Sequence, residues 1–402
     1  MIDPRSVDTA DVHKKDRLAG RLTRRGGQVA FVYHAEYLAT GGPAVATTLP
    51  LTADPVVAPA GAVPPFFAGL LPEGARLTAL VRRLKTSADD ELSLLLAVGA
   101  DTIGDVRVVP EGQVPGEPAP LARVGRWDQQ DFDALSAAST AVSGASVEMS
   151  AIPGVQIKVS AQVISFPAGD GRFLLKLEPA DYPHLVRNEA FFLAVARDAG
   201  LPVPEFEVVG DRRNRPGLLV RRFDRAVQEG RLIRLAQEDV CQLAGRYPAD
   251  KYRFTARGAV TAVATASAYP LVDTRQAFAL MALSYLIGNG DLHAKNLSVG
   301  EDADGRLRLT PTYDMLSTLP YIPGDRLALP IEGKDSSLGR RHLLGFAAAV
   351  GLPERSAASR LDRVCGAVAT AASRLHEIGL DDRVEARLRA TMLRRVDHLS
   401  QG

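Results

Sequence analysis

Two residues in the segment Leu286–Val299, LIGNGDLHAKNLSV, have the types and spacing of a phosphoryl-transfer loop. Asp291 and Asn296 are separated by four residues, so one rigid turn can aim a carboxylate at an attacking hydroxyl and an amide oxygen at a divalent cation. The segment follows an apolar run, breaks at Gly288 and Gly290, and returns to a short strand at Leu297. His293 and Lys295, between the two, add positive potential where phosphates would lie. With no second His or Cys at ligand spacing, His293 reads as a hydrogen-bonded structural residue. Alone the D-x-x-x-x-N pattern is weak, because a solvated Asp and a loop-capping Asn match it equally well. Asp314 strengthens it. It lies eighteen residues after Asn296, in TPTYDMLS, beyond a hairpin expected to turn at Asp304-Gly305. One carboxylate and one amide oxygen, completed by phosphate and water, form a sufficient protein set for Mg²⁺.

A complementary half lies earlier in the chain. Lys176 lies near the end of the apolar run FLLKL, and a Lys buried in a strand is costly unless it is paired. Glu189, thirteen residues on and expected in the first turn of the next helix, is its natural partner. Glu178 is the rival, but it shares a strand face with Lys176 without facing that helix. A strand Lys pinned by a helix Glu can reach the phosphates of a nucleotide. Met149–Ser160, MSAIPGVQIKVS, is a small-residue turn entering a strand, and backbone N–H groups around Gly154 could cover phosphates there. Gly217–Arg225, GLLVRRFDR, reads as the strand leaving this half. Its backbone after Val220 is placed for an adenine edge and Asp224 for the ribose, with Arg221, Arg222 and Arg225 expected as a solvated or substrate-facing basic rim. The order loop, Lys, Glu, Asp-x-x-x-x-Asn, Asp is that of protein kinases.

The elements that must position these residues follow from periodicity. Gly27–Tyr33 alternates as a strand; Pro65–Leu84 and Asp90–Val98 read as helices, the second closed by Gly99 at C′. Val155–Pro167 and Arg172–Leu177 suggest a hairpin, Leu185–Ala199 a helix stopped by Gly200, and Val203–Val209 and Gly217–Arg222 two further strands. Beyond Gln237 the pattern is helical, with helices expected over Asp239–Ala244, Thr255–Ala266, Thr274–Ile287 and several from Gly339 to Leu399. Pro and Gly cluster between 110 and 125, which marks a seam. The expected organisation is an N-terminal α+β subdomain over 1–110, a linker over 111–126, and a bilobal unit over 127–402. The lobes of that unit divide near 225 into a β-rich N-lobe and an α-rich C-lobe.

Composition excludes several classes. The 402 residues exceed what a single core usually serves, and 46% hydrophobic with 24% charged residues describes a folded chain. A net charge of +1, from 48 Lys and Arg against 47 Asp and Glu, argues against binding nucleic acid by bulk charge. Cys241 and Cys365 cannot make a disulfide framework, and their usage suits a reducing cytoplasm. The polar N-terminus is no signal peptide, and no apolar run is long enough to span a membrane. Only eight of the 48 cations are Lys, so a Lys where Arg would serve hints that a compact ammonium is wanted.

Taken together, LPLTADP, FFAGLLPEG, ADTIGDVRVVPEG, GVQIKVS, NEAFFLAVARDAGLPVPE, LLVRRFDR, LAQEDVCQLAGRYPADKY, LIGNGDLHAKNLSV and LTPTYDMLS resemble the HipA-type serine/threonine kinases, toxins of bacterial toxin–antitoxin systems. The resemblance covers most of the chain. It implies a protein-kinase-like α+β fold behind a small N-terminal subdomain, ATP and Mg²⁺ as cofactors, and inhibition by a HipB-like helix-turn-helix antitoxin through which alone DNA is met. It also implies a protein substrate such as an aminoacyl-tRNA synthetase. By resemblance, Asp291 is the catalytic base, Lys176 the ATP lysine with Glu189 behind it, and Asn296 and Asp314 the metal ligands. Gly154, Val155, Gln156 and Lys158 form the phosphate-side loop. Arg222, Phe223, Asp224, His293 and Lys295 complete the nucleotide side, and Gln237–Asp239 with Tyr247–Tyr252 line the substrate side.

Two departures stand out. Arg221 replaces the acidic residue common before R-F-D-R. Ser150, the candidate autophosphorylation site, lies four residues before Gly154 instead of three, with Ala151 at the usual place and Pro153 stiffening the turn. The competing expectations are a small-molecule phosphotransferase of the aminoglycoside or choline type, and a catalytically weak nucleotide-binding module that holds a DNA-binding antitoxin.

Overall fold

The computed structural model describes residues 3–116, 126–135, 164–168, 171–178 and 181–401, with the side chains of all of these except 75 and 164–167. The candidate loop Gly154–Lys158 and Ser150 lie outside the described residues. The first unit is built on an antiparallel sheet of β1 (Thr9–Lys14), β2 (Arg17–Arg25), β3 (Gln28–Tyr33), β4 (Val56–Ala58) and β5 (Val106–Pro110), in the order β4-β3-β2-β1-β5. Alternation decides its faces: Val29, Phe31 and Tyr33 point inward from β3 while Gln28 and Val32 face water. Helices α1 (Ala35–Ala39), α2 (Pro65–Ala68), α3 (Gly74–Leu84) and α4 (Glu91–Val98) accompany it, and Phe67, Leu92 and Leu95 close the core over Val12, Leu22 and Phe31.

The single helix expected over Pro65–Leu84 is two helices. Gly69 to Glu73 intervene, with Pro72 unable to continue the backbone pattern and Gly74 left-handed at φ +57°. Gly99 is not a left-handed C′ residue: its φ is −66°, and a Cβ there would press on the Val108 carbonyl, so glycine answers close approach.

The second layer is a sheet ordered β6-β7-β9-β8 among the described residues, made of β6 (Ile164–Ala168), β7 (Phe173–Leu177), β8 (Phe206–Gly210) and β9 (Pro216–Arg221). Helix α5 (Leu185–Asp198) packs on it through Phe192, Val195 and Ala196, beside Leu218 and Val220 of β9. A ribbon of β10 (Arg225–Gln228) and β11 (Arg231–Arg234) leads to β12 (Gln237–Asp239), which joins β13 (Ser298–Glu301) and β14 (Leu307–Leu309) in a small sheet. The expected turn at Asp304-Gly305 connects β13 to β14, with Gly305 at φ +77°.

The helical lobe comprises α6 (Val240–Leu243), α7 (Ala256–Ala266), α8 (Pro270–Ile287), α9 (Arg340–Ala349), α10 (Glu354–Ala372) and α11 (Asp382–Ser400). Its axis is α8, buried on all sides from Ala277 to Ile287. Four residues earlier than expected, α8 opens on Pro270, whose missing N–H costs nothing in a first turn. Its other end stops at left-handed Gly288 (φ 73°), which delivers the chain into the Asp291 loop.

Candidate active site between the lobes

Lys176 stands in the interior of β7, opposite Leu218 of β9. Its ammonium donates to Glu189 Oε1 at 2.6 Å and also to Asp314 Oδ1. Glu189 lies in the second turn of α5 and not the first, and both members of that pair are buried. Glu178, the rival partner, accepts instead from the Val186 N–H at 3.4 Å, at the opening turn of α5. Burial alone would pull the Lys176 ammonium down, but the Asp314 and Glu189 carboxylates outweigh it and hold the group above its ordinary range. Glu189 is pushed up by burial, against the pull of Lys176.

The Asp291 loop is rigid for reasons that can be traced atom by atom. The Gly288 carbonyl accepts from Thr318 N at 3.0 Å, and the Thr318 hydroxyl accepts from Gly290 N at 3.0 Å. Asn289 Oδ1 accepts from Asp291 N at 2.9 Å. Asn296 Nδ2 donates to the Asp291 carbonyl at 3.1 Å, which fixes the amide and leaves its oxygen as the ligating atom. Tyr252 donates its hydroxyl to Asp291 Oδ1 at 3.3 Å, so Asp291 reaches the cleft as an oriented, buried carboxylate. Tyr252 itself is raised by burial and then by the charge of Asp291, and stays a donor.

Lys176, Glu189, Asp291, His293, Asn296 and Asp314 line one cleft of about 400 Å³. Asp314 takes a left-handed conformation (φ 51°), which swings its carboxylate toward Lys176 from the strand that precedes it. The donor set fits a small hard cation. Asp314 keeps one oxygen beyond the one Lys176 holds, and Asn296 offers a carbonyl oxygen. Among the described residues no cluster of three or more His, Cys, Asp or Glu surrounds a metal position, so phosphate and water oxygens would complete the shell, as Mg²⁺ prefers.

Several expected site residues do different work. Arg222 and Arg225 are buried, not a solvated rim. Arg222 forks onto Asp224 at 2.9 and 2.7 Å, and Arg225 reaches Asp224 at 2.7 Å and Asp101 at 3.1 Å. Asp224 also accepts from Gly104 N at 2.9 Å, and Arg222 and Asp224 both remain in the lining of the cleft. Burial lowers Arg225 to about 10, whereas Arg222 and Arg225 hold Asp224 down against its burial. Only Arg221 is exposed, paired with Glu205 at 3.0 Å. Phe223 faces the cleft and packs on Tyr313 with ring centroids 5.7 Å apart. Lys295 donates to Asp239 Oδ2 at 2.8 Å and to the Gly69 carbonyl at 3.1 Å. Although burial opposes it, the Asp239 and Glu73 charges keep Lys295 raised and charged.

Other contributors to the cleft are not obvious from the chain. The Gly69–Glu73 break supplies a wall of the cleft through Leu70, Leu71, Pro72 and Glu73. Tyr313 props the far side through hydrogen bonds to Ser298 Oγ (2.6 Å) and the Lys295 carbonyl (2.8 Å). Pro72 was the available signal for the wall; nothing local marks Tyr313.

Comparison with known proteins agrees along the chain. Residues 10–109 match the HipA N-terminal domain family and residues 150–372 the HipA-like C-terminal domain family. Y4mE of Sinorhizobium fredii, provisionally named a kinase, is 30% identical over 402 aligned positions, spanning 90% of this chain and 92% of its own. The serine/threonine-protein kinase toxin HipA of Shewanella oneidensis is 26% identical, spanning 89% and 86%. The fold is similar, with a TM-score of 0.78, to a chain of the solved complex of Shewanella oneidensis MR-1 HipA, HipB and operator DNA, at 22% identity over 98% of this chain and 99% of that one.

Proposed function

Because the chain belongs to the HipA family of kinases, we propose that it is an ATP- and Mg²⁺-dependent protein serine/threonine kinase that acts as the growth-inhibiting toxin of a toxin–antitoxin pair. The observation that carries this reading is Lys176 held between Glu189 and Asp314, in the same cleft as Asp291 and Asn296. A lone buried ion pair is weak support for any function. An ammonium balanced by two carboxylates is different, because Asp314 would be the group to hold a divalent cation and Lys176 the group to meet phosphate oxygens. Asn296 and Asp314 would hold Mg²⁺, which supplies charge neutralisation on the transferring phosphoryl group when bound.

Asp291 then presents its carboxylate to the acceptor, with Oδ1 also bonded by Tyr252. It orients a Ser or Thr hydroxyl and accepts its proton as the oxygen bonds to phosphorus and ADP leaves with the former bridging oxygen. Lys176 stabilises the charge left on the nucleotide phosphates. Gly154, Val155, Gln156 and Lys158 are proposed as the phosphate-side loop and Ser150 as the candidate autophosphorylation site. Phe223 and the backbone beside it are proposed to meet the adenine. Arg222, Asp224, His293 and Lys295 act behind the nucleotide and keep its pocket in shape.

We place the protein in the cytoplasm with a HipB-like antitoxin as partner and DNA met only through it. The antitoxin and operator in the similar Shewanella complex support that reading, and among the described residues no helix is long and apolar enough to cross a membrane. The substrate proposed from the family is a translation protein such as an aminoacyl-tRNA synthetase. Incubating the protein with γ-labelled ATP in a bacterial lysate, and mapping the labelled residues, tests the reading. Ser or Thr labelling on a few proteins is the expected result. Phosphorylation of free choline or aminoglycosides instead would make it a small-molecule phosphotransferase. Nucleotide binding with no transfer would make it a binding module.

A further inference from the structure

The N-terminal unit does more than sit beside the cleft. Resting on the kinase reading above, we propose that Glu73 of this unit is a positioning residue for Asp291, acting through Lys251 and Tyr252. The contacts form one chain. Glu73 Oε2 pairs with Lys251 Nζ at 2.8 Å. That ammonium stands 5.3 Å from the centroid of the Tyr252 ring, and the Tyr252 hydroxyl donates to Asp291 Oδ1 at 3.3 Å. The ring meets His293 edge-on, 5.1 Å between centroids, and the Lys251 carbonyl accepts from Ala294 N at 3.1 Å. The segment 248–252 is therefore wedged between the N-terminal unit and the Asp291 loop.

Burial does not fix this wedge. Tyr252 is 36% exposed, so its ring is placed by its contacts and not by a surrounding core. The contacts on the other side are firm. Gln242 Nε2 donates to the Phe66 carbonyl at 2.9 Å, Lys295 Nζ to the Gly69 carbonyl at 3.1 Å, and the side chain of Gln242 fills the space a Cβ on Gly69 would need. Glu73 is thus carried on a segment anchored to the catalytic lobe, and it can pass that order to Lys251. A carboxylate rotates freely about its last torsion unless a donor holds one oxygen. Tyr252 is one such donor to Asp291 Oδ1, and it favours the rotamer in which the carboxylate meets the acceptor hydroxyl. A misaligned base slows transfer while nucleotide binding is kept, because Lys176, proposed to meet the phosphates, is held by Glu189 and Asp314.

The test uses the full chain with Tyr252→Phe, Glu73→Gln and the double variant. The readouts are phosphate release from γ-labelled ATP with Mg²⁺ and label transfer into lysate protein, each fitted for kcat and for the KM of ATP. The expected result is a fall of about tenfold in kcat for either single substitution, with the KM of ATP unchanged to within about twofold. The double variant is expected to be no slower than the worse single one. Thermal midpoints of all variants close to wild type show that folding is not the cause. Wild-type rates in Tyr252→Phe, single effects that multiply in the double variant, or a KM for ATP rising as kcat falls would overturn the positioning role. A wild-type protein whose turnover does not depend on Asp291 would instead overturn the kinase reading, and this role with it.

Discussion

Lys176 sits where a strand would ordinarily place a Leu, and its cost is met by two carboxylates. Replacing it by Met leaves Glu189 buried against apolar surface, a loss of about 3 kcal/mol of stability. Glu189→Leu in the same chain should return most of that stability, because a buried pair exchanged for apolar groups is often neutral. Phosphate transfer should stay absent in both, so denaturant midpoints and transfer rates are expected to part company. A Lys176 pKa raised above 10.5 in the folded state contributes stability that is complete below that value and is lost as pH rises through the folded one. At neutral pH the ammonium is therefore fully charged. The Lys176–Glu189 pair was readable from a lone Lys in FLLKL and an acid on the next helix, since both rest on local periodicity. The basic run of LLVRRFDR was misread, because the groups that bury Arg222 and Arg225 are Thr102, Gly104 and Asp101, more than a hundred residues away.

Elements were read best where their end signals are local. Asp239 closes a capping box with Gln242, Thr255 caps α7, and Gly200 stops α5, and each stands within one turn of the helix it punctuates. The split of the 65–84 helix was missed because apolar residues keep helical spacing through Leu70 and Leu71, with Pro72 and left-handed Gly74 as the local signals against it. The turn between β8 and β9 shows what one side chain can organise. Asp211 accepts from the backbone N–H groups of Phe132 (3.1 Å), Arg213 (2.8 Å) and Arg215 (2.9 Å) and from the Arg215 guanidinium. Burial would raise its carboxyl, but these donors prevail and take it to about 2 from an ordinary 3.8. A depressed carboxyl contributes stability that is present above 3.8 and lost as pH falls toward 2. Asp211→Asn should therefore destabilise by about 1–3 kcal/mol at neutral pH, with the gap from wild type closing as acid is added, as followed by denaturant titration across pH.

At the scale of the molecule, the N-terminal unit and the kinase-like unit share buried charge. Asp101 and Asp224 hold Arg222, Arg225 and Arg234, and Asp101 reaches all three guanidiniums. Asp101→Ala removes the carboxylate that Arg222, Arg225 and Arg234 share and should cost about 3–5 kcal/mol, seen as a lower unfolding midpoint, whereas Arg221→Ala at the exposed pair with Glu205 should cost less than about 0.5 kcal/mol. Tertiary burial of this kind has no periodic signature, so the seam between the units could be expected from Pro and Gly while the joint itself could not. The site that the two units enclose is what gives the chain its proposed activity. Its most direct test measures nucleotide affinity and γ-phosphate transfer on the same preparations of wild type and Asp291→Asn, with ATP and Mg²⁺. Unchanged ATP affinity with transfer reduced by at least about a thousandfold in the variant is the predicted result. Transfer by Asp291→Asn at the wild-type rate would contradict the account.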